Sequence, residues 1–243
     1  GAAIRRAFEA RSGYIFAAFD YSQIEMRVLA VLSKDENLLA MFKAGGDIHT
    51  RVAARIFDIT ETEVTKEMRR QAKVINFGII YGMGVNALKQ NLGTDRATAQ
   101  TFYNRYFEAF PTIRDYFDTV KVEALKRGYT ETMFARRRYL PTIRAPVPFV
   151  RAAAERMALN APLQGTAADI VKLAIIQVDE MLKKQKLDSH THLLLQVHDE
   201  LLYEIVGKDA AKIIPLIKEA MNLSLPIRFL SPSKSKSVPP GAI

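Results

Sequence analysis

Two short apolar runs along the chain each lead to a carboxylate. Residues 15–19 read Ile-Phe-Ala-Ala-Phe and end at Asp20, and residues 193–197 read Leu-Leu-Leu-Gln-Val and are followed after one residue by Asp199. A short apolar run predicts a buried strand, and a further run at 201–206, beyond the polar break, predicts a β-hairpin. The sequence therefore predicts strands whose ends carry acidic side chains.

Hydrophobic positions in the rest of the chain follow a helical period. The predicted helical segments are 24–32, 37–134, 151–184 and 209–221, with a basic, proline-bearing connection at 136–148. Pro162 and Gly165 are expected to kink or divide the third segment. Residues 231–243 are rich in Ser, Lys and Pro and predict a disordered tail. The order of strand, helical insertion, helix, hairpin and helix predicts an α+β fold in which helices interrupt a small sheet.

One helical segment has a face suited to a nucleoside triphosphate. If residues 65–81 form one helix, four side chains share an arc of about 120°, namely Arg69, Lys73, Phe77 and Tyr81. A different side, centred about 150° away, is apolar and can pack into a core; it carries Met68, Ala72, Ile75 and Ile79. The two cations would neutralise phosphates, and the rings would contact the sugar and base. The alternative is an ordinary amphipathic helix with a solvated basic face.

Composition and charge narrow the class of protein. The 243 residues are 49% hydrophobic and include 35 Lys and Arg against 26 Asp and Glu, a net charge of +9. This excess favours a polyanionic partner such as nucleic acid, although a merely basic protein would also have it. The absence of Cys excludes disulfides and thiolate metal sites, and no apolar run is long enough to span a bilayer. A cytoplasmic enzyme or binding protein is expected.

Asp20 and Asp199 are the candidate metal ligands. They lie 179 positions apart, so only the fold can bring them together. Adjacent strands would place both carboxylates at one end of a sheet, and their hard oxygens suit Mg²⁺. Two such ions about 4 Å apart can activate an attacking hydroxyl and stabilise a leaving phosphate group. Taken singly, each Asp is more often a turn or cap residue.

Three motifs in the chain resemble those of family A DNA polymerases. Residues 20–27, Asp-Tyr-Ser-Gln-Ile-Glu-Met-Arg, resemble the first catalytic motif, with Met26 where Leu is usual. Residues 69–82, Arg-Arg-Gln-Ala-Lys-Val-Ile-Asn-Phe-Gly-Ile-Ile-Tyr-Gly, resemble the second, and residues 196–200, Gln-Val-His-Asp-Glu, resemble the third. Supporting matches occupy 46–50, 136–141 and 160–169. The resemblance runs from residue 4 to about residue 228.

The resemblance implies a role for each matched residue. The implied metal ligands are Asp20, Asp199 and the backbone carbonyl of Tyr21, and the implied catalytic residues are Asp20, Asp199, Glu200 and Lys73. Glu200 would be an auxiliary acid, and Lys73 would donate a proton to pyrophosphate. The implied nucleotide-binding residues are Gln23, Glu25, His49, Arg69, Lys73, Phe77 and Tyr81. The implied DNA-binding residues, which would follow the minor groove and the primer end, are Arg156, Asn160, Gln164 and His198.

The resemblance also implies a polymerase right-hand fold with an antiparallel palm sheet and a large helical fingers insertion. The expected division is palm at 1–30 and 151–230, helical fingers at 31–150, and a tail at 231–243. Thumb and exonuclease domains are expected to be absent, because the chain begins just before the first motif. The chain departs from the family pattern at Ala135, where Gly is common, and in having no Trp near its end.

The resulting prediction is template-directed DNA synthesis, in which two Mg²⁺ ions assist the addition of deoxynucleoside triphosphates to a primer 3′-hydroxyl in replication or repair. The expected partners are primer-template DNA and these nucleotides, and no association with a membrane is expected. The protein is expected to be a monomer in the cytoplasm, associated with the nucleoid in a bacterium. One alternative is an inactive or truncated piece that binds nucleotide or DNA. Another is a single-subunit RNA polymerase, which Glu25 disfavours because a carboxylate beneath the sugar would crowd a ribose 2′-hydroxyl.

Overall fold

The computed structural model describes residues 7–223 and, for the backbone alone, residues 234–238. The strands are β1 (Tyr14–Asp20), β2 (Tyr129–Glu131), β3 (Arg137–Tyr139), β4 (Thr191–Val197), β5 (Glu200–Val206) and β6 (Lys234–Val238). The α-helices are α1 (Ile24–Ser33), α2 (Glu36–Lys43), α3 (Ile48–Phe57), α4 (Lys66–Ile80), α5 (Val85–Leu92), α6 (Arg96–Ala109), α7 (Pro111–Arg127), α8 (Pro148–Lys184) and α9 (Ala210–Leu223). This order confirms the predicted α+β class. None of the helices in the described ranges is both long and apolar enough to cross a membrane.

Backbone contacts divide the chain into two compact units, and each is described by itself. The sheet unit comprises residues 1–24 and 167–243, and the helical unit comprises residues 25–166. The predicted division of the chain into palm, fingers and palm stays a prediction. The predicted boundaries after residues 30 and 150 stay predictions.

The sheet unit is built on four antiparallel strands in the order β4-β5-β1-β6. The two central strands supply its core, where Phe19 is fully buried and meets the Tyr203 ring edge-on at a centroid distance of 5.7 Å. Helix α9 lies against β1 and β5. Burying an aromatic side chain of this size contributes about 1.5–3 kcal/mol. The apolar run at 15–19 thus forms the buried strand that its composition predicts.

The outer strands differ from what their sequences predict. The apolar side chains of β4 are not buried within the described residues: Leu195 and Val197 are 50% and 51% exposed. The prediction of a disordered tail is wrong for residues 234–238, which form β6 and pair with β1 in antiparallel register, Asp20 opposite Lys234. A Ser- and Lys-rich segment can form such a strand because pairing at a sheet edge satisfies its backbone groups without requiring apolar side chains. The other tail residues, 231–233 and 239–243, lie outside the described residues.

The helical unit holds the segment with the predicted nucleotide face. Helices α3 and α4 pack together, and their fully buried side chains include Val52, Ile56, Ala72 and Ile75. Each helix begins at a side-chain cap: Asp47 accepts the His49 N–H at 3.1 Å, and Thr65 accepts the Met68 N–H at 3.2 Å. Caps of this kind contribute about 0.5–2 kcal/mol each.

Helix α8 is one continuous helix of 37 residues with Pro162 inside it. The helix is therefore not divided at Pro162 or Gly165, whereas the alternative expectation of a kink stays a prediction. Gly165 has a packing role instead, because a Cβ there would lie 2.5 Å from Thr132 Cγ2. The loop between the paired strands β2 and β3 thus approaches α8 closely, and Thr166 Oγ1 accepts the Met133 N–H at 3.0 Å. The short strand β2 falls in a stretch that the periodicity assigned to helix.

Candidate active site

The sheet unit brings Asp20 and Asp199 to the same end of the sheet. Strand β1 ends at Asp20, which stands opposite Glu200, the first residue of β5, in antiparallel register. Asp199 immediately precedes Glu200, in the two-residue turn between β4 and β5. The two Asp residues are 179 positions apart in sequence, and the pairing of the central strands β1 and β5 brings them to the same end of the sheet. The two candidate metal ligands therefore lie at the ends of neighbouring strands, as the sequence analysis expected.

Backbone conformation fixes both acidic positions. His198, in the same turn, has a φ of 55°, and Ser22 and Gln23, after β1, have φ values of 35° and 53°. Positive φ is uncommon for non-glycine residues, so the conformation of these two turns is specific. The Ser22 N–H donates to the Asp20 carboxylate, which holds that side chain against the turn.

Tyr21 anchors the segment that carries Asp20. Its ring is fully buried, and its hydroxyl donates to the Met221 carbonyl of α9 at 2.8 Å. This buried hydrogen bond fixes the backbone of the residue whose carbonyl was predicted as a metal ligand. The carbonyl's role as a ligand stays a prediction.

The electrostatics of the acidic pair suit a cation. Burial of the half-exposed Asp199, followed by the negative charge of Asp20, raises the pKa of Asp199 above its ordinary value. A divalent cation would relieve both effects, because it stabilises the ionised form of each carboxylate. Over residues 7–223 no group of three or more His, Asp or Glu side chains is arranged to hold a metal ion. Two carboxylates fit Mg²⁺ nevertheless, since that ion is commonly held by one or two carboxylates together with water and substrate phosphates.

In the helical unit, α4 matches the predicted helix at both ends. Residues 66–80 are helical, Thr65 is the N-cap and Tyr81 is the C-cap, followed by Gly82 with a φ of 69°. Ala72, Ile75 and Ile79 are buried, as their side of the helix predicts, whereas Arg69, Lys73 and Tyr81 are exposed. Gly82 also permits close packing, because a Cβ there would lie 3.3 Å from Arg156 Cγ of α8.

The cationic and aromatic side chains of α4 form a continuous row. Lys73 Nζ lies 6.0 Å from the centroid of the Phe77 ring, and the rings of Phe77 and Tyr81 stack with centroids 6.3 Å apart at 25°. Arg69, at the N-terminal end of the row, forms an ion pair with Asp47. The hydrogen bond to Asp47 raises the pKa of Arg69, which therefore stays cationic. Four predicted nucleotide-binding residues thus share one surface.

His49 joins this row from the neighbouring helix α3. Its ring centroid lies 5.8 Å from that of Phe77, while its side chain is 2% exposed and its Nδ1 lies 3.1 Å from the Asn76 amide nitrogen. Burial lowers the pKa of His49 to about 4, with the positive charges of Arg69 and Lys73 acting in the same direction against the opposing charge of Asp47. His49 is therefore a neutral donor or acceptor at physiological pH. Asn76 and Asp47 both lie within the matched motifs, but nothing in the sequence pattern predicted their contacts with His49 and Arg69.

The remaining predicted residues lie at the ends of β1 and β5 and on α1 and α8. Gln23 and Glu25 flank the start of α1, both partly buried, and Glu200 begins β5. His198 is exposed in the turn. The three predicted DNA-binding residues of α8 recur every four positions and so share one face of that helix: Arg156, Asn160 and Gln164. Their contacts with DNA, and the packing of Glu25 against Tyr81, stay predictions.

Comparison with known proteins identifies the family. Residues 1–234 match the family described as DNA polymerase family A. The chain is 48% identical over 227 residues to the thermostable DNA polymerase I of Thermus filiformis, covering 93% of this chain and 27% of that protein. It is 46% identical over 229 residues to the DNA polymerase I of Bacillus caldotenax, covering 94% of this chain and 26% of that protein.

A solved structure agrees with these relatives. The POL domain of Pol1 from M. smegmatis, in complex with DNA primer-template and dNTP, matches with a TM-score of 0.90 at 42% identity, covering 97% of this chain and 41% of that one. The chain spans about a quarter of the length of the curated relatives it matches. The chain belongs to DNA polymerase family A.

Proposed function

We propose that the protein to which this chain belongs extends a DNA primer by template-directed addition of deoxynucleoside triphosphates, with release of pyrophosphate. The observation that carries the proposal is the placement of Asp20 and Asp199 at the same end of the sheet, where Asp20 stands opposite Glu200 and Asp199 precedes it. The row of cations and rings on α4 supports it, since this row offers contacts for phosphate, sugar and base in that order. Membership of a polymerase family supports the same reaction.

In the proposed reaction Asp20 and Asp199 would hold two Mg²⁺ ions, with the Tyr21 carbonyl as a further ligand and Glu200 as an auxiliary acid. When bound, the ions would activate the primer 3′-hydroxyl and neutralise charge on the departing phosphates. Arg69 and Lys73 bind the triphosphate, and Lys73 donates a proton to pyrophosphate. Phe77 packs against the deoxyribose and base, which limits the positions that the nucleotide can occupy.

The DNA contacts belong to the same proposal. Arg156, Asn160 and Gln164 on one face of α8, together with His198 in the β4–β5 turn, follow the minor groove of the primer-template duplex. The minor-groove acceptors of all correct base pairs are nearly alike, so these side chains test pair geometry without reading sequence. Tyr81 stands at the templating position, beside Glu25.

The test is a primer-extension assay with the full-length protein. Extension should require template, deoxynucleotides and Mg²⁺, and Asp20→Asn should abolish it while leaving the thermal unfolding midpoint nearly unchanged. Extension that persists in Asp20→Asn would refute the role of the carboxylate pair. If only nucleotide or DNA binding is seen in the full-length protein, the proposal fails in favour of a non-catalytic binding protein.

The choice between DNA and RNA synthesis depends on Glu25. A carboxylate beneath the bound sugar would crowd a ribose 2′-hydroxyl, so Glu25→Ala should increase incorporation of ribonucleotides relative to deoxynucleotides by at least about tenfold, the effect of roughly 1.4 kcal/mol. Competitive incorporation from a mixture of both nucleotides measures the ratio. An unchanged ratio would remove Glu25 from this role, and a wild type that prefers ribonucleotides would favour an RNA polymerase.

A further inference from the structure

The helical unit contains a buried polar pair that the proposed reaction does not explain. Asn76 lies on the inner side of α4 with no exposed surface, and its Nδ2 is 3.1 Å from Nδ1 of His49 on α3, which is 2% exposed. Its Oδ1 has no hydrogen-bond partner within the described part of the chain. Burying an amide in a helix–helix interface is unfavourable unless its contacts compensate, so an apolar residue would be the ordinary choice at this position.

The pair determines which nitrogen of His49 carries the proton. An amide NH₂ group can only donate, so Nδ1 must accept. A neutral imidazole that accepts at Nδ1 has its single proton on Nε2. The ring is neutral because burial, reinforced by Arg69 and Lys73 and opposed by Asp47, lowers the pKa of His49 to about 4. His49 therefore presents one N–H donor at the Nε2 end.

A donor of this kind suits a phosphate oxygen. The His49 ring lies 5.8 Å from Phe77, in the row that also contains Lys73, so it stands beside the surface proposed for the nucleotide. Phosphate oxygens only accept, whereas the opposite tautomer would turn a lone pair toward them. A third cation beside Arg69 and Lys73 would be disfavoured by like-charge repulsion. A neutral N–H donor avoids that repulsion.

We propose that Asn76 is a positioning residue that fixes His49 as the Nε2–H tautomer, so that His49 donates one hydrogen bond to a phosphate oxygen of the bound nucleoside triphosphate. The inference rests on the proposed function for its ligand. The tautomer itself is a property of the chain without nucleotide.

Nitrogen NMR of the histidine rings tests the tautomer directly. The chain has four His, so long-range proton–nitrogen correlations give few signals, and a ring nitrogen without a proton resonates far from one that carries it. At neutral pH His49 should show the proton on Nε2. Asn76→Leu should yield a mixture of tautomers, and Asn76→Asp should move a proton to Nδ1. A wild-type ring protonated on Nδ1, or a tautomer unchanged in Asn76→Leu, would overturn the inference.

Titration with a magnesium deoxynucleoside triphosphate tests the consequence. Asn76→Leu should weaken binding by about three- to tenfold, the range expected for one hydrogen bond. His49→Gln should retain more affinity than His49→Asn, because only Gln can place an amide donor near the Nε2 position. Ile75→Val is the control for a buried change on the same helix and should not alter affinity. Equal affinity for Asn76→Leu and wild type would overturn the donor role.

The two measurements separate the inference from the function on which it rests. If wild type shows the Nε2–H tautomer but binds no nucleoside triphosphate, the proposed function fails and the phosphate-donor role fails with it. If wild type binds the nucleotide but its ring carries the proton on Nδ1, the positioning role of Asn76 fails and the proposed function stands.

Discussion

Asp47 and Arg69 form an ion pair that a bound triphosphate would have to replace, and Asp47→Asn isolates this effect. Asp47 has two roles: it pairs with Arg69, and it caps α3 by accepting from the His49 N–H at 3.1 Å and from the Thr50 hydroxyl at 2.9 Å. Asn caps helices as well as Asp does. The variant therefore removes the charge while keeping the cap.

The size of the effect follows from the exposure of the pair. The side chains of Arg69 and Asp47 are 46% and 35% exposed, so solvent screens the pair and its contribution is about 0.2–1 kcal/mol. If the nucleotide must displace Asp47, Asp47→Asn should tighten binding of a deoxynucleoside triphosphate by about 1.4- to 5-fold. The gain should shrink at high salt, because exposed charges are screened.

The assay is equilibrium titration with a magnesium deoxynucleoside triphosphate, alongside thermal unfolding. Asp47→Ala is the comparison variant, since it loses the cap as well and should lower the stability of the fold by about 0.5–2 kcal/mol. If Asp47→Asn binds nucleotide more weakly than wild type at an unchanged unfolding midpoint, Asp47 orients Arg69 rather than competing for it, and the reasoning is refuted.

Acid should weaken the same pair. Burial favours a higher pKa for Asp47, but hydrogen bonds from Arg69, Thr50 and the His49 N–H outweigh it and hold the pKa below its ordinary value. The stabilisation is therefore complete above the ordinary pKa of Asp and is lost as the pH falls through the lower folded-state pKa. Asp47→Asn should remove this part of the acid sensitivity.

Two further substitutions have defined outcomes. Phe77→Tyr should improve the use of dideoxynucleotides relative to deoxynucleotides in primer extension, because the added hydroxyl can replace the contact of a missing 3′-hydroxyl; an unchanged ratio would remove Phe77 from the sugar contact. Gly165→Ala should destabilise the fold by about 1–3 kcal/mol, since its Cβ would lie 2.5 Å from Thr132 Cγ2. Denaturant unfolding measures that loss, with Gly84→Ala as the control because a Cβ at Gly84 meets nothing within 4 Å.

The helical period predicted α4 well because one face of that helix is apolar and buried while the other is largely exposed. Its apolar side packs against α3, and its caps are residues with clear preferences, so local sequence and packing agree. The apolar run before Asp20 likewise predicted a buried strand. The sequence could not show that β1 pairs with β5, because strand pairing across such a distance depends on the fold and not on local pattern.

Other features could not be predicted from the sequence, each for its own physical reason. β6 is polar, and it pairs with β1 through backbone hydrogen bonds, which the pattern of side chains does not predict. Pro162 suggested a kink or a break in α8, yet the helix continues through it. In the sequence Asn76 is one residue of a helical motif, and its contact with His49 becomes visible in the structure. A buried polar residue on an otherwise apolar helix side is the signal that could have identified it.

The most direct test of the account compares two acidic residues of the sheet unit in a single-turnover primer-extension assay with the full-length protein. Asp199 stands at the sheet end beside Asp20, whereas Asp188 is exposed between α8 and β4. Asp199→Asn should slow nucleotide addition by at least ~10³-fold, because losing a metal-holding carboxylate removes several kcal/mol of transition-state stabilisation. Asp188→Asn should leave the rate nearly unchanged. Nucleotide addition at the wild-type rate by Asp199→Asn would contradict the claim that the paired carboxylates carry the chemistry.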